Sequence, residues 1–393
     1  MRSISITRSL RPSGVLLTAG VCVAISLGAC ADSRSSSNKR VMSRRVAPAQ
    51  MPERGSPRET AAASPSLRER DEPVRHTDIP TRPSLVTTAQ LREHSIGILM
   101  DLVKNGLPEE KANALEGLRF ADGRLSQVAG DALHDPAPGV RGVAALALAK
   151  ARSCGLSDEV SLLLSDRSPI VRASAMLSLW RCGNRVDPTP LAAMLNSSNP
   201  RERAQAAWVL GEMGERSAVA LLRDAAKQTV RRASLGANRA VDLQIAEARV
   251  KLGDDEALSE IRTALLPARN EDLEATALAA QIAGDLQDRE ATNALIGLVE
   301  FKDSEGKPMP PEVRLAAVAA LAKLGQPKGG AIAVEYTSAA KPEIRSQAVL
   351  ALGVMRNPEY LPTMEKMLDD PSGQVRAAAA MAILQASDPR SGH

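Results

Sequence analysis

The stretch Asp166–Leu179, DRSPIVRASAMLSL, sets an aspartate six residues ahead of an arginine and follows the pair with an alanine-rich apolar run. Near copies occur as DPAPGVRGVAALAL from Asp135 and DPSGQVRAAAAMAI from Asp370. With the arginine as anchor, the series runs Arg141, Arg172, Arg203 and then Arg314, Arg345, Arg376, with 31 residues between successive members of each set. Between the sets, Asp242 and Leu273 occupy the equivalent slots, also 31 apart, and the irregular steps of 39 and 41 residues carry insertions of 8 and 10. A fixed period in this range is the signature of stacked repeats.

Positions beyond the anchor recur as well. Three residues on stand Ala144, Ala175, Ala206, Ala317, Ala348 and Ala379; seven on stand Leu148, Leu179, Leu210, Leu321, Leu352 and Ile383. These offsets share one helical face. Eleven residues on, Gly183, Gly214, Gly253, Gly284 and Gly325 predict helix C-termini in the left-handed conformation that glycine adopts without steric cost. A second apolar segment follows in most units, as in SDEVSLLL, PLAAML, AVALLRDAA, ATNALIGLV and YLPTMEKML. Order is expected to begin near Thr88 as an N-cap, with Leu91, Ile98, Leu99 and Leu102 at helical spacing and a stop at Asn105-Gly106.

Each recurring residue has a structural task. The aspartate precedes a helix, where its carboxylate can accept from free backbone N–H groups. Alanine at offset three lets adjacent helices approach closely. Two short helices per period resemble HEAT repeats, and the Asp…Val-Arg phrase resembles most closely the short HEAT-like repeats named after phycobilisome lyases. The resemblance covers about Pro108 to Pro389 and implies an all-α fold: a right-handed α-α superhelix, a solenoid of about eight two-helix repeats with terminal helices, the last from Ser372. It further implies that Asp135, Arg141, Asp166, Arg172, Arg203, Arg314, Arg345, Asp370 and Arg376 form a structural ladder between neighbouring repeats. Identical pairs in several repeats cannot all line one active site.

Composition agrees with a helical repeat: 44% of the 393 residues are hydrophobic but only 2% aromatic, so alanine and leucine must do the packing. Formal net charge is +4, yet the basic excess sits near the N-terminus. From residue 91 onward there are 36 Lys plus Arg against 39 Asp plus Glu, which argues against a nucleic-acid surface. Four histidines, His76, His94, His134 and His393, lack metal-ligand spacing. Helical-repeat enzymes of the deoxyhypusine hydroxylase family bind iron through His-Glu pairs, and no His-Glu dipeptide occurs here. Phosphate loop, Gly-x-Ser-x-Gly and Cys-x-x-Cys are absent, and Ser338 with Lys341 matches Ser-x-x-Lys without its companion motifs. No catalytic residue, cofactor or metal is expected.

At the N-terminus Arg2, Arg8 and Arg11 precede an uncharged stretch from Val15 to Ala29, too short to span a bilayer. Its end, Leu27-Gly28-Ala29-Cys30, resembles the bacterial lipobox, which implies that residues 1–29 are a lipoprotein signal peptide and that Cys30 becomes an acylated first residue. Such a product stays attached to its membrane. Position 31 is alanine rather than the aspartate of an inner-membrane retention signal, which favours the outer membrane in a cell with two. Residues 30–84, rich in Ser, Pro, Arg and Glu, read as a disordered tether with an r.m.s. span on the order of 40 Å. The repeat domain is then 85–393.

Two cysteines remain, Cys154 and Cys182. Treated as equivalent points of stacked repeats, they are expected about 10 Å apart, too far for a disulfide, and so to remain small buried thiols. Trp180 and Trp208 are expected to fill gaps between alanines. The irregular middle is the expected place for binding: the insertion KQTVRRASLGANR offers Lys227, Arg231, Arg232 and Arg239, and FKDSEGKPMPP offers Phe301 and Met309. Together these features imply a membrane-anchored, non-enzymatic scaffold for a protein partner in the bacterial cell envelope. The alternatives are a lyase-like or chaperone-type accessory protein, or a purely structural envelope component.

Overall fold

The structure, a computed structural model, describes residues 87–388 apart from 232 and 269–271. The expected signal peptide, Cys30 and the tether lie outside the described residues, as does Arg232. In chain order the helices pair as α1 (Thr88–Asn105) with α2 (Pro108–Leu118), α3 (Asp122–Leu133) with α4 (Pro138–Ala151), and α5 (Ser157–Leu162) with α6 (Pro169–Arg181). There follow α7 (Thr189–Leu195) with α8 (Pro200–Met213), α9 (Val219–Ala226) with α10 (Leu235–Lys251), and α11 (Leu258–Ala264) with α12 (Leu273–Asp285). The last are α13 (Thr292–Glu300) with α14 (Pro311–Lys323), α15 (Gly330–Tyr336) with α16 (Pro342–Met355), and α17 (Leu361–Lys366) with α18 (Gly373–Ala386). The chain forms an all-α solenoid, and its one β pairing among the described residues is a bridge between Lys302 and Pro308.

Helix starts follow local chemistry. α1 opens on a capping box in which Thr87 Oγ1 accepts from Gln90 N–H at 3.2 Å and Gln90 Oε1 accepts from Thr87 N–H at 2.9 Å. The cap is therefore Thr87, one residue before the expected Thr88. Pro108, Pro138, Pro169, Pro200, Pro311 and Pro342 each occupy the first position of an even-numbered helix. There the missing N–H costs nothing and the fixed φ is already helical.

The even-numbered helices are buried on nearly every side, as in α4, where Val143 to Ala149 are all buried. Each packs on the next even-numbered helix, and each odd-numbered helix covers one flank. The recurring alanines from Ala144 to Ala379 are fully buried, as close helix approach requires. Glycine tightens three of these contacts. A Cβ at Gly211, Gly284 or Gly353 would lie 2.8, 2.8 or 2.6 Å from the Cα of Ala248, Ala320 or Ala382.

Gly284 was expected to end a helix, but it lies inside α12 with the contact glycines. The reason is a shift of three residues in this unit: Thr276, not Leu273, occupies the anchor slot, where its Oγ1 donates to Ala264 O at 2.9 Å and Asp272 O at 3.1 Å. Counting eleven from Thr276 gives Gln287, and the left-handed positions at the ends of the even-numbered helices then form one series. They are Arg152, Gly183, Gly214, Gly253, Gln287, Gly325 and Arg356, with φ of 53, 80, 79, 90, 57, 74 and 52°. The stacked turn imposes the conformation whether or not glycine is present.

The cysteines also depart from expectation. Cys154 and Cys182 form a disulfide with Cα atoms 5.6 Å apart. They are not equivalent points of the repeat: Cys182 caps α6, whereas Cys154 lies beyond the left-handed Arg152 that ends α4. That turn carries the chain back toward the neighbouring helix end, well inside the helix spacing.

A superhelix leaves two free ends, and here they meet. α18 packs on both α1 and α2, so the succession of even-numbered helices closes on itself. Arg92 on α1 donates to Phe120 O at 2.5 Å and to Leu384 O and Ser387 Oγ at 3.3 Å, joining the start of the domain to its last helix. Gly373 leaves room at this seam for the Glu110 carboxylate, whose Oε1 lies 2.1 Å from where a Cβ would stand.

Two stability measurements check this packing. Gly353→Ala is expected to cost about 1–3 kcal/mol in chemical denaturation, because α16 and α18 must separate. Gly97→Ala, in α1 with nothing within 4 Å of its Cβ, should instead gain about 0.5–1 kcal/mol. Separately, Arg152→Gly should raise stability by up to about 1 kcal/mol by removing a left-handed non-glycine residue.

Candidate binding surface

The repeated charges are consumed by the stack. Arg141 Nε and Nη2 donate to Asp166 Oδ2 and Oδ1 of the next unit at 2.8 and 3.0 Å, while Nη1 donates to Asp135 O of its own unit at 2.8 Å. Arg345 repeats the arrangement with Asp370 at 2.8 Å on both arms and Ala339 O at 2.9 Å. Lys111 takes the same place in α2, 2.9 Å from Asp135. Among the described residues, Arg172 and Arg376 bond within their own units, to Asp166 O and Asp370 O at 2.7 and 2.9 Å.

The aspartates act one step earlier than expected. Asp135, Asp166 and Asp370 accept from the N–H groups of Ala137, Ser168 and Ser372 at 2.8, 2.8 and 2.9 Å. These are the residues that precede the helices, so the aspartate shapes the approach turn instead of capping the helix. Burial opposes charge on Asp166 and Asp370, but their arginine and backbone donors outweigh it and hold both carboxyls below the usual range.

In the irregular middle the ladder moves to other residues. Arg223 on α9 donates to both oxygens of Asp254 at 2.9 Å, and Arg262 on α11 to both oxygens of Asp288 at 2.7 Å. Each aspartate directly follows a left-handed residue, Gly253 or Gln287. Arg249, which stands where other units carry leucine, is buried and bonds Asp254 at 2.8 Å and Glu260 at 2.7 Å. Arg203 is buried as well, donating to Ala225 O and Gln228 O at 2.9 and 3.0 Å. Burial raises the Asp242 carboxyl, an effect that Arg203 opposes.

A second charge series runs near the C-terminal ends of the even-numbered helices. Lys150 reaches back to Glu116 at 2.8 Å, Arg181 pairs with Glu212, Lys251 pairs with Glu212 at 2.6 Å and Glu247 at 2.5 Å, and Lys323 pairs with Asp285. Trp208 lies buried beneath two of these cations, its ring centre 5.9 Å from Lys150 Nζ and 6.0 Å from Lys251 Nζ. Burial lowers Lys150 to about 8 despite Glu116. Trp180 Nε1 donates to Met213 O at 3.0 Å, so both tryptophans serve the stack.

The two insertions both leave an odd-numbered helix and enter the next even-numbered one, and so share an edge of the stack. The first is pinned from within: Asn238 Oδ1 accepts from Val230 N–H at 2.8 Å, and Val230 is buried. Among its expected contact residues, Lys227 pairs with Asp224 at 2.9 Å, Arg239 pairs with Asp272, and Arg231 is exposed. In the second, Asp303 and Lys307 close a turn, Met309 is buried, and Phe301 stays exposed. The structure does not bring the two sets of candidates together into one site.

Residues 156–237 and 307–384 match the family described as HEAT repeats, so the chain carries HEAT repeats in two regions. No curated protein matches it. Among solved structures it is similar to human deoxyhypusine hydroxylase in complex with glycerol, at 17% identity and a TM-score of 0.36, covering 67% of this chain and 96% of that one. An engineered protein matches at 16% identity and a TM-score of 0.30 over 77% of this chain and 96% of that one. A Kap121p mutant matches at 12% identity and a TM-score of 0.29 over 74% of this chain and 41% of that one. Among the described residues no group of three or more His, Cys, Asp or Glu is placed to hold a metal ion, and no helix is long and apolar enough to cross a membrane.

The substitute ladder has a pH signature. Arg223, and then Arg249, hold the Asp254 carboxyl down at about 2 against burial, from an ordinary 3.8. Its contribution is therefore present above about pH 4 and lost as pH falls toward 2. Asp254→Asn should lower stability at pH 7 and flatten the loss of stability across that acid window, measured by urea midpoints at several pH values.

Proposed function

We propose that this chain is a non-enzymatic HEAT-repeat scaffold, exported and lipid-anchored through Cys30, that holds a protein partner in the bacterial cell envelope. One observation carries the scaffold part: the recurring Asp and Arg side chains bond from unit to unit, as Arg141 does with Asp166 and Arg345 with Asp370. The repeated phrase is thus used for architecture, and the variable connections between helix pairs are left to meet a partner. The Cys154–Cys182 disulfide supports the exported part, since disulfides persist in oxidising compartments and are rare in the cytosol. Attachment by an acylated Cys30, followed by the 30–84 tether, would keep the domain near the membrane while letting it search for its partner.

Two measurements on intact envelope test this reading. Mass spectrometry of the mature protein should return acylated Cys30 as the first residue and a Cys154–Cys182 linked peptide. Cross-linking followed by pull-down should capture a distinct protein. An unmodified N-terminus at another position would remove the anchor, and capture of no protein above background would remove the scaffold role.

A further inference from the structure

The second insertion borders a cavity of about 360 Å³ between α13, α14 and the start of α15. Its walls differ in character. Ile296, Val299 and Ile332 supply an apolar side, and the exposed ring of Phe301 extends it at the rim. Arg314, Lys302 and Lys328 bring three cations against one carboxylate, Glu300.

Arg314 is the anchor arginine of its repeat, and its forward partner is missing. Position 339 is alanine, where Asp166 and Asp370 stand in the equivalent turns. Arg314 Nε instead donates to Val299 O at 3.2 Å and Nη1 to the Tyr336 hydroxyl at 3.0 Å, with the guanidinium 5.7 Å from the Tyr336 ring centre. In Arg141 and Arg345 the Nη2 arm meets a carboxylate oxygen, and in Arg203 it meets two backbone carbonyls. In Arg314 that arm has no protein acceptor among the described residues, and the side chain lines the cavity. Two of the three nitrogens of Arg314 are thus taken up by other acceptors, and Nη2 alone is left without an anionic partner.

We infer that this cavity receives the C-terminal carboxylate and last apolar side chain of a partner polypeptide, with Arg314 Nη2 as the donor and Lys302 and Lys328 at the rim. Charge complementarity selects an anion, and a guanidinium N–H beside two ammonium groups suits a carboxylate, the group that Arg141 and Arg345 bind. The apolar wall beside the cations selects an anion joined directly to an apolar group, as at a chain end. The volume is near the lower limit for small-molecule sites, enough for a chain end but short of a long acyl chain. The inference rests on the protein-binding reading above and names the chemistry its partner would present.

The test titrates the full-length chain with fluorescein-labelled hexapeptides ending in Val, Leu or Phe, each as the free acid and as the C-terminal amide, read by fluorescence anisotropy. The free acids should bind at least about tenfold more tightly than the amides, the worth of one charge-assisted bond. Arg314→Gln should bring the acids down to the affinity of the amides. Because Arg314 also contacts Val299 and Tyr336, the double variant Lys302→Glu, Lys328→Glu gives a second reading through exposed side chains. It should weaken acid binding by about tenfold or more with an unchanged circular-dichroism melting curve. Equal binding of acids and amides, binding of neither, or displacement of the peptides by decanoate at lower concentration than by unlabelled peptide acid would overturn the inference. If the envelope partner is captured equally by wild type and the double variant, the cavity fails while the scaffold stands. If wild type captures nothing, the scaffold fails, and the peptide titration still decides the cavity.

Discussion

At four junctions of the stack an arginine fork holds one repeat to the next. Arg141 grips carbonyl oxygens of its own turn with one nitrogen and both oxygens of Asp166 in the following turn with the other two. All three contacts are charge-assisted, and the planar group fixes distance and rotation together, which an ammonium cannot do. Asp166 meanwhile accepts from Ser168 N–H, so the residue that receives the fork also shapes the chain entering the next helix. Helix approach by alanine and glycine, left-handed turns and burial all sit in the register that this bridge sets.

That constraint explains why the irregular middle does not fall apart. Where Asp242 and Thr276 replace the anchor arginine, forks from the odd-numbered helices, Arg223 and Arg262, take over the link and use Asp254 and Asp288 as receivers. More than one pair of positions can thus supply a rigid charged bridge between units. The second charge series, from Glu116 and Lys150 to Asp285 and Lys323, ties the opposite ends of many of the same helices. Junctions fastened at both ends, with close alanine packing between, leave little freedom for bending. The domain is further held by the α18 seam against α1 and α2.

Much of this was written in the 31-residue period. The helix pairs, the buried alanines, the ladder from Arg141 to Asp166 and from Arg345 to Asp370, and the insertions on one edge all follow from counting. The second charge series was also within reach, since Lys150, Arg181 and Glu212 recur nine residues past their anchors. Its members change sign from unit to unit, which hides the period. The register of the Thr276 unit was not readable, because threonine replaces arginine and an inserted stretch precedes it. Gly284 then fell by coincidence on a position that looked like a helix end.

By itself, the sequence determined the fold class and the repeat register of most units, because local periodicity, capping residues and small-residue spacing act within one helix pair and leave a mark each time they recur. Only the tertiary structure decided contacts that join residues far apart in the chain. These are the closure of α18 on α1 and α2, the relocated forks of Arg223 and Arg262, the Cys154–Cys182 disulfide, and the Nη2 arm that Arg314 keeps beside its cavity. The physical reason is the same in each case. A period fixes what a residue does inside its own repeat, while the partner it meets depends on how a turn such as that at Arg152 redirects the chain and on which side chain the neighbouring repeat leaves out.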